Sequence, residues 1–362
     1  MKKFIPIYEP YKAKNQRKYV MDCVNSNWIS SRGEYIEKFE KSLANYLGVE
    51  NVITTFNGSV SLMLILRALG IGPGDHVLVP SLTYAATISA INLAGATAIL
   101  VDSDENFQMV TTNLDSYCFI KPKAVMVPQL YGDAPDMNAL KKYCKRHNIP
   151  LIEDSAESFG CKYKHEMIGS IGTASSFSFF GNKVITTGEG GCVCTNDNTL
   201  ATKMRLLKNQ SHVGGFIHDG PGFNFRMTNI QAAIGLAQFE DLDHIVKRKK
   251  IIAEYYRENL SPNIKKIVPS VNSTEWMPLF SLPKTINYMK FSSVLRNKLI
   301  DTRPAFTPIH LMSGFDFVSR GSLANSELIY KQGFNLPSHP DLTDEQLRYI
   351  CQEVNTAVGV IE

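Results

Sequence analysis

The stretch of sequence that decides the fold starts at Ser178 and reads Ser-Phe-Phe-Gly-Asn-Lys up to Lys183; Thr-Thr-Gly-Glu-Gly-Gly follows from Thr186 to Gly191. The lysine comes just after a short apolar run and is followed by small residues and glycines. Such a lysine can be held in a pocket that contains little water, where the pKa of its amine falls and the amine can form a Schiff base. Most lysines beside glycines are surface turn residues, so this stretch taken alone is compatible with either interpretation.

Short apolar runs alternate with helical patterns on the N-terminal side of this stretch. The apolar runs are rich in β-branched residues and predict strands at 52–55, 76–80, 98–101, 124–127 and 150–152. The segments between them predict helices at 59–68, 85–93 and 137–146. This alternation predicts a mostly parallel sheet wrapped by helices, and ligands of such sheets bind at the carboxyl ends of the strands.

The pattern changes after residue 172. Residues 175–180 and 191–195 predict two strands joined by a turn rich in glycine and threonine, and a long helical segment at 229–260 leads away from them. The rest of the chain predicts a smaller α+β domain. We therefore predict a large domain over residues 1–245 and a small C-terminal domain over residues 246–362.

Charge and composition argue against several classes of protein. The net charge is +4, and the basic cluster Lys247, Arg248, Lys249 and Lys250 lies within a helical pattern, which predicts a solvated helix face rather than a nucleic-acid interface. The seven cysteines are scattered and form no zinc-binding pattern, so we predict reduced thiols and no metal site. No stretch has the pattern of a signal peptide or a membrane span, so we expect a soluble, cytoplasmic protein.

Three further positions at predicted strand ends could bind a ligand. Asp154 ends an apolar strand; a buried carboxylate there would need a cation such as a protonated pyridine nitrogen, although a helix N-cap is the simpler interpretation. Gly58 and Ser59 open a helix whose backbone N–H groups could bind a phosphate, or they could form an ordinary helix cap. Tyr84 could stack on a planar ring, although a lone aromatic residue more often belongs to the core.

Taken together and in this order, these features resemble the sugar aminotransferases of the DegT/DnrJ/EryC1/StrS family. The resemblance runs nearly end to end, and the segments that contain Lys183 and Asn224 are together highly specific. The similar segments are residues 28–33, 57–59, 70–75, 80–87, 152–157, 176–191, 222–229, 303–310 and 336–340. The resemblance implies an α/β fold of the type I PLP-dependent transferases (aspartate aminotransferase-like), with a large, mostly parallel-sheet domain that binds pyridoxal 5'-phosphate (PLP) and a smaller α+β C-terminal domain.

The resemblance also implies roles for the residues around the cofactor. Lys183 would form the Schiff base and move the proton, and Asp154 would pair with the pyridine nitrogen, which makes these two the expected catalytic residues. Glu157 would lie near the 3-hydroxyl of the ring, and Tyr84 would stack on the ring. The phosphate would be bound by Gly58, Ser59, Ser178 and, from the partner subunit of a homodimer, Asn224.

The substrate side of the site is implied by the same resemblance. For Arg303 the alternative to substrate binding is a structural salt bridge, and for His310 it is a hydrogen-bonded histidine of the core. The residues expected to line the sugar-nucleotide side are Trp28, Ser30, Arg303 and His310.

The activity that the resemblance implies is the transfer of an amino group from L-glutamate to C4 of a nucleotide-linked 4-keto-6-deoxy sugar. The most similar subgroup acts on GDP-4-keto-6-deoxymannose, and its product would serve a surface glycan such as O-antigen lipopolysaccharide. A dTDP- or UDP-linked 3- or 4-keto sugar is the alternative acceptor, and a non-enzymatic regulator with the PLP fold is a third interpretation. Gln129, where the family often has histidine, and residues 208–212 depart from the usual pattern and leave the sugar preference open.

Overall fold

A computed structural model describes residues 3–319 and 321–361 of the chain. Its helices are α1 (Gln16–Ser26), α2 (Glu34–Leu47), α3 (Gly58–Ala68), α4 (Ala85–Leu93), α5 (Met137–His147), α6 (Asn198–Lys208), α7 (Asn229–Glu240), α8 (Leu242–Asn259), α9 (Tyr288–Asn297), α10 (Ala324–Gln332) and α11 (Asp344–Ile361). Its strands are β1 (Asn51–Thr55), β2 (His76–Pro80), β3 (Thr97–Val101), β4 (Ala124–Pro128), β5 (Leu151–Asp154), β6 (Lys162–Tyr163), β7 (Glu166–Met167), β8 (Ala174–Ser178), β9 (Gly191–Thr195), β10 (His212–Gly214), β11 (Ile217–His218), β12 (Lys265–Lys266), β13 (Leu279–Ser281), β14 (Arg303–Pro304), β15 (Phe317–Ser319) and β16 (Gly333–Asn335).

The main sheet confirms the predicted, mostly parallel architecture. Its strand order is β1-β9-β8-β5-β4-β2-β3-β15. Every neighbouring pair from β8 to β15 is parallel, whereas β9 runs antiparallel to both β1 and β8. Parallel neighbours need a crossover connection, and the helices predicted between the strands supply it. The carboxyl ends of the parallel strands β8, β5, β4, β2, β3 and β15 therefore lie at one edge of the sheet.

Side chains at the helix ends explain where several elements begin and stop. The Asn57 side chain accepts a hydrogen bond from the first turn of α3, and Asp136 does the same for α5. Thr228 and Gln231 form a reciprocal capping box at the start of α7. Gly48 ends α2 in the left-handed conformation that glycine adopts without steric cost.

Apolar side chains fill both faces of the main sheet. On one face α3 and α4 pack against the strands in a cluster that includes Leu64 and Ile91. On the other face α2 and α7 contribute Phe39 and Leu236 to a second cluster that reaches Phe177 of β8. The strands of a sheet that is buried on both faces have continuous apolar runs in their sequence, and these runs made the strands predictable.

A second sheet forms in the C-terminal part of the chain, with the order β12-β13-β16-β14. It packs with α8, α9 and α11 around the buried rings of Phe280 and Phe334. Among the contacts that connect this part with the rest, Ile5 bridges to Ile300, and β15 extends the main sheet beside β3. The division at residues 245 and 246 stays a prediction.

One expectation about the surface is wrong for a single residue. The basic cluster 247–250 lies on α8, where Lys250 is exposed, but Lys249 is fully buried. The Nζ of Lys249 donates to the main-chain oxygens of Trp276 (2.8 Å) and Ser338 (3.0 Å). These carbonyls compensate for the loss of water, and residues distant in sequence provide them.

The helices also bear on the membrane prediction. The longest, α8 and α11, have 18 residues each and carry several charged side chains. Within residues 3–319 and 321–361, no helix combines the length and the apolar character needed to cross a bilayer.

Candidate active site

A cavity of about 360 Å³ opens at the edge of the main sheet where β2, β4, β5 and β8 end. Parallel strands place their carboxyl ends together, so residues far apart in sequence share this cavity. Its lining consists of Asn57, Gly58, Ser59, Leu62, Thr83, Tyr84, Ala86, Thr87, Pro128, Gln129, Leu130, Asp154, Ala156, Glu157, Ser178, Phe180, Asn182, Lys183, Glu189, Trp276 and Phe306.

Lys183 reaches into this cavity from the turn that follows β8. Its Nζ lies 3.7 Å from Oε1 of Glu157 and 4.3 Å from the centroid of the Trp276 ring. Burial lowers the pKa of the Lys183 amine, and the carboxylates of Glu157 and Asp154 oppose that shift. The amine is therefore closer to its nucleophilic, neutral form than a surface lysine would be.

Asp154 ends β5 and is buried at the edge of the sheet. Its Oδ2 accepts a hydrogen bond of 2.7 Å from Thr87 Oγ1, and Oδ1 accepts a long one from the N–H of Ala156. Burial raises the pKa of Asp154, while Thr87 and the charge of Lys183 lower it. Among the described residues, no basic nitrogen lies within 4.0 Å of this carboxylate. A buried carboxylate that faces a cavity without an ion-pair partner is suited to a cationic group of a ligand.

Glu157 lies one turn further along the chain and is also buried. Its Oε2 accepts a hydrogen bond of 2.9 Å from the N–H of Tyr131. Burial raises the pKa of Glu157 to about 7, and the charge of Lys183 limits that rise. The pKa of Glu157 is thus raised while that of Lys183 is lowered, so the two values are closer together than those of an exposed pair.

The N-terminus of α3 forms one wall of the cavity. The Asn57 side chain accepts from the N–H of Val60 at 3.0 Å, and Gly58 and Ser59, the first two residues of the helix, line the cavity. The first N–H groups of a helix have no partner within the helix. Gly58 packs so closely against β8 that a Cβ at this position would lie 2.8 Å from Cβ of Ser178. The helix end, its dipole and the serine hydroxyls make this wall suitable for a phosphate.

A series of aromatic rings forms another wall. Tyr84 is 60% exposed and lies 5.6 Å from Phe306 between ring centroids. Phe306 stacks on Tyr131 at 5.2 Å, and Tyr131 stacks on Trp276 at 6.2 Å. The exposed face of Tyr84 offers a stacking surface for a planar ring.

Five residues expected at the site lie outside the lining of this cavity, and three of them, Asn224, Trp28 and Ser30, are exposed. Asn224 is exposed, and its Oδ1 accepts a hydrogen bond of 2.8 Å from Arg226. Trp28 and Ser30 are exposed, and their main-chain oxygens accept hydrogen bonds from Asn229 at the start of α7. Their roles in phosphate and substrate binding stay predictions.

The other two substrate-side residues differ in their surroundings. Arg303 is half exposed and lines a second cavity of about 660 Å³, which shares Tyr84, Trp276 and Phe306 with the first. His310 lies outside the lining of both cavities; its Nδ1 is 2.6 Å from Ser81 Oγ. Both assignments stay predictions.

Several residues of the site were not singled out from the sequence. Thr87 orients Asp154, and Trp276 and Phe306 bring the C-terminal part of the chain to the cavity. Thr87 and Phe306 lie in segments that carry the family resemblance, so that signal could have identified them. Trp276 lies in none of those segments, and its contact with Lys183 is visible only in the tertiary structure. Asn182 has a buried Oδ1 without a hydrogen-bond partner within the described residues, and it lines the cavity.

The two departures from the usual pattern lie in different places. Gln129 lines the cavity, but its Nε2 donates to Glu153 and its Oε1 accepts from Ser155, both at 2.6 Å. Its amide is thereby committed to the protein, so it has little capacity left for a substrate. Residues 208–212 lie outside the cavity, and Lys208 there donates to the main-chain oxygen of Thr54 at 2.9 Å.

A group of metal-binding side chain types occurs away from the cavity. Ligand atoms of Asp115, Cys118 and His147 lie within 4.8 Å of one another. The Arg146 guanidinium donates to both oxygens of Asp115 at 2.5 and 2.7 Å, so this carboxylate already has a cationic partner from the protein. The absence of a metal site stays a prediction.

The residues of the main cavity fit PLP in five respects. Lys183 provides an amine whose pKa is lowered, and Asp154 provides a buried carboxylate without an ion-pair partner within the described residues. The start of α3 provides a phosphate-binding helix end. Tyr84 offers an exposed ring face, and Asn182 offers a buried oxygen to which no residue of the described part of the chain donates.

Comparisons with known proteins agree with this geometry. The sequence profile of the DegT/DnrJ/EryC1/StrS aminotransferase family matches residues 10–355. The GDP-perosamine synthase of Escherichia coli O157:H7 is 43% identical over 358 residues, which cover 98% of this chain and 98% of that protein. The GDP-perosamine synthase of Vibrio cholerae is 39% identical over 358 residues, covering 96% and 97%.

A solved structure supports the same conclusion about the fold and the cofactor. The PLP form of the sugar aminotransferase Spr1654 from Streptococcus pneumoniae superposes with a TM-score of 0.91 at 25% identity and covers 99% of this chain and 100% of that one. The predicted fold class and the dependence on PLP are thereby confirmed.

Proposed function

Because this chain belongs to the DegT/DnrJ/EryC1/StrS aminotransferase family, we propose that it transfers the amino group of L-glutamate to C4 of a nucleotide-linked 4-keto-6-deoxy sugar. The observation that carries the proposal is the arrangement of Lys183, Asp154 and the start of α3 around one cavity. An amine, a carboxylate for a pyridine nitrogen and a phosphate-binding helix end are what a PLP-dependent transaminase requires.

The residues of the chain would bind PLP and handle the proton of the reaction. Bound PLP supplies the electron sink that makes the α-hydrogen of the donor acidic. Asp154, held by Thr87, would keep a proton on the pyridine nitrogen of PLP, and the N–H groups of Gly58 and Ser59 would bind the phosphate. The Nζ of Lys183 would take up the α-proton of the donor and hold it as part of an ammonium group. Glu157 stabilises the ammonium form of Lys183 while the proton is held there.

The acceptor that we propose is GDP-4-keto-6-deoxymannose. Support comes from the relatives named GDP-perosamine synthase, which match this chain over nearly its full length. The second cavity lies beside the first and offers the partly exposed guanidinium of Arg303, a group suited to a diphosphate. The product would be an amino sugar for a surface glycan such as O-antigen.

The proposed assembly is a homodimer with active sites at the subunit interface, in the cytoplasm. The hairpin of β10 and β11 carries Phe216, which is 94% exposed, and Ile217, which is 64% exposed. Solvated apolar side chains at a hairpin tip are suited to burial against a second copy. Asn224 follows this hairpin and is also exposed, which agrees with a role toward the phosphate in the partner's cavity.

The proposed reaction can be tested one half at a time. The protein loaded with PLP is first treated with glutamate, which converts the bound cofactor to its amino form, and the glutamate is removed. GDP-4-keto-6-deoxymannose is then added while the absorbance of the bound cofactor is followed. A return of the original absorbance supports the proposed acceptor. A response only to a dTDP- or UDP-linked keto sugar would assign a different acceptor to this aminotransferase. The absence of a response to glutamate would contradict glutamate as the amino donor.

A further inference from the structure

Two aromatic residues from distant parts of the chain donate hydrogen bonds to the main-chain oxygens of Asn182 and Lys183. Tyr8, near the N-terminus, donates its hydroxyl to the main-chain oxygen of Lys183 at 2.8 Å. Trp276, from the C-terminal part, donates its Nε1–H to the main-chain oxygen of Asn182 at 2.6 Å. The Trp276 ring also faces the Nζ of Lys183. The backbone of the lysine thus depends on two aromatic side chains for its position.

Both aromatic residues contact the buried amine of Lys249. The Nζ of Lys249 donates to the main-chain oxygen of Trp276 at 2.8 Å and lies 4.9 Å from the centroid of the Tyr8 ring. A further hydrogen bond of 3.0 Å joins it to the main-chain oxygen of Ser338. Lys249 is therefore the group that connects Tyr8 and Trp276 behind the wall of the cavity.

We propose that Lys249 is a positioning residue, which holds Trp276 and Tyr8 where they fix the backbone and the amine of Lys183. The proposal rests on the proposed function insofar as Lys183 carries the reaction. The transfer of an amine from water into the protein interior costs free energy. A role in fixing Trp276 and Tyr8, which orient Lys183, would explain why a lysine lies at this buried position. A shift of about 1 Å at a reacting group is enough to slow a reaction strongly, even when the cause lies outside the site.

The test compares two lysines that are neighbours on α8. Lys249→Met keeps an unbranched, apolar side chain that is only one heavy atom shorter, but removes its hydrogen bonds. Lys250→Met is the matched control, because Lys250 is exposed and bonds only to the side chain of Asn272 among the contacts described. We expect Lys249→Met to lower kcat of the glutamate half-reaction by about 10-fold or more, with KM for glutamate changed much less. Lys250→Met should retain both values.

A second variant separates positioning from a loss of folding. Tyr8→Phe removes only the hydroxyl that bonds to Lys183, and we expect kcat to fall about 3-fold. In the Lys249→Met background the same change should have less effect, because the Tyr8 ring has already lost its contact. Equal effects of Tyr8→Phe in both backgrounds would show two independent, merely structural contributions and would overturn the proposal.

The fluorescence of Trp276 gives a readout that is independent of activity. The chain contains only two tryptophans, so Trp276 can be observed alone in proteins that carry Trp28→Phe. In the cofactor-free protein, Lys249→Met should shift the emission of Trp276 to longer wavelength and increase its quenching by acrylamide, and Lys250→Met should leave both unchanged. An unchanged Trp276 signal in Lys249→Met overturns the positioning role. If the wild type does not respond to glutamate, the proposed function fails, while this comparison still tests the contacts of Lys249.

Discussion

The Nζ of Lys183 lies 3.7 Å from Oε1 of Glu157, and both side chains are largely withdrawn from solvent. Burial lowers the pKa of the lysine and raises that of Glu157 to about 7, so the two pKa values lie closer together than in water. The difference between the two pKa values is therefore smaller than for an exposed lysine and glutamate, which favours proton transfer between these groups.

Replacement of Glu157 by glutamine should change how stability depends on pH. The folded-state pKa of about 7 lies above the unfolded value near ~4.3, so Glu157 favours folding while it is protonated. That contribution is complete below the unfolded pKa and is lost as pH rises through the folded pKa. The free energy of unfolding of cofactor-free Glu157→Gln, minus that of the wild type, should therefore rise by about 3 kcal/mol between pH 4.5 and 8. Thermal unfolding of both proteins over this pH range measures the difference. A difference that is constant over this range would contradict the shift.

Lys183→His should abolish transamination. Histidine is shorter, has no primary amine and cannot form the covalent link, so we expect the rate of the glutamate half-reaction to fall by about 10³-fold or more. Lys203→His is the control, because Lys203 is exposed on α6. Near wild-type activity in Lys183→His would refute the assigned role of Lys183.

Asp154→Asn should leave the shape of the site intact and remove its charge. An asparagine oxygen can still accept the hydroxyl of Thr87, but an amide does not keep the pyridine nitrogen protonated. We expect kcat to fall about 10²-fold, whereas Thr87→Ser, which retains the hydroxyl, should have a small effect. Single-turnover rates with glutamate measure the effect of both variants. Equal rates for Asp154→Asn and the wild type would show that the charge of Asp154 does not contribute to catalysis.

Gly58→Ala should weaken the binding of PLP. The new Cβ would lie 2.8 Å from Cβ of Ser178, so the start of α3 has to move away from β8, which we expect to cost about 1–3 kcal/mol. Gly181→Ala is the matched control, because a Cβ there meets nothing within 4 Å. The measurement is the dissociation constant of PLP in a fluorescence titration. Similar constants for the two variants would show that the helix end does not bind the phosphate.

Arg303→Gln should weaken the binding of the sugar nucleotide. Arg303 lines the second cavity, where a positive charge would meet the diphosphate, so we expect KM for the keto sugar to rise about 10-fold with KM for glutamate retained. Arg296→Gln, on the exposed side of α9, is the control. Arg303 also bonds to Asp301 at 3.0 Å. A lower melting temperature without a change in KM would assign Arg303 to that salt bridge instead.

The sequence by itself determined the alternation of strands and helices and the cofactor side of the site. Strand and helix periods depend on near neighbours, and the ends of parallel strands meet at one edge, so Lys183, Asp154 and Gly58 could be expected to share a cavity. The order of these features along the chain was enough to indicate the family.

The tertiary structure alone decided which distant residues complete that cavity. Trp276 and Tyr8 come from opposite ends of the sequence, and no periodicity links them to Lys183. Lys249 reads as one of four basic residues on a solvated helix face, yet its amine is buried against the carbonyls of Trp276 and Ser338. Local pattern describes the helix on which a residue lies, whereas burial depends on what the rest of the chain packs against that helix.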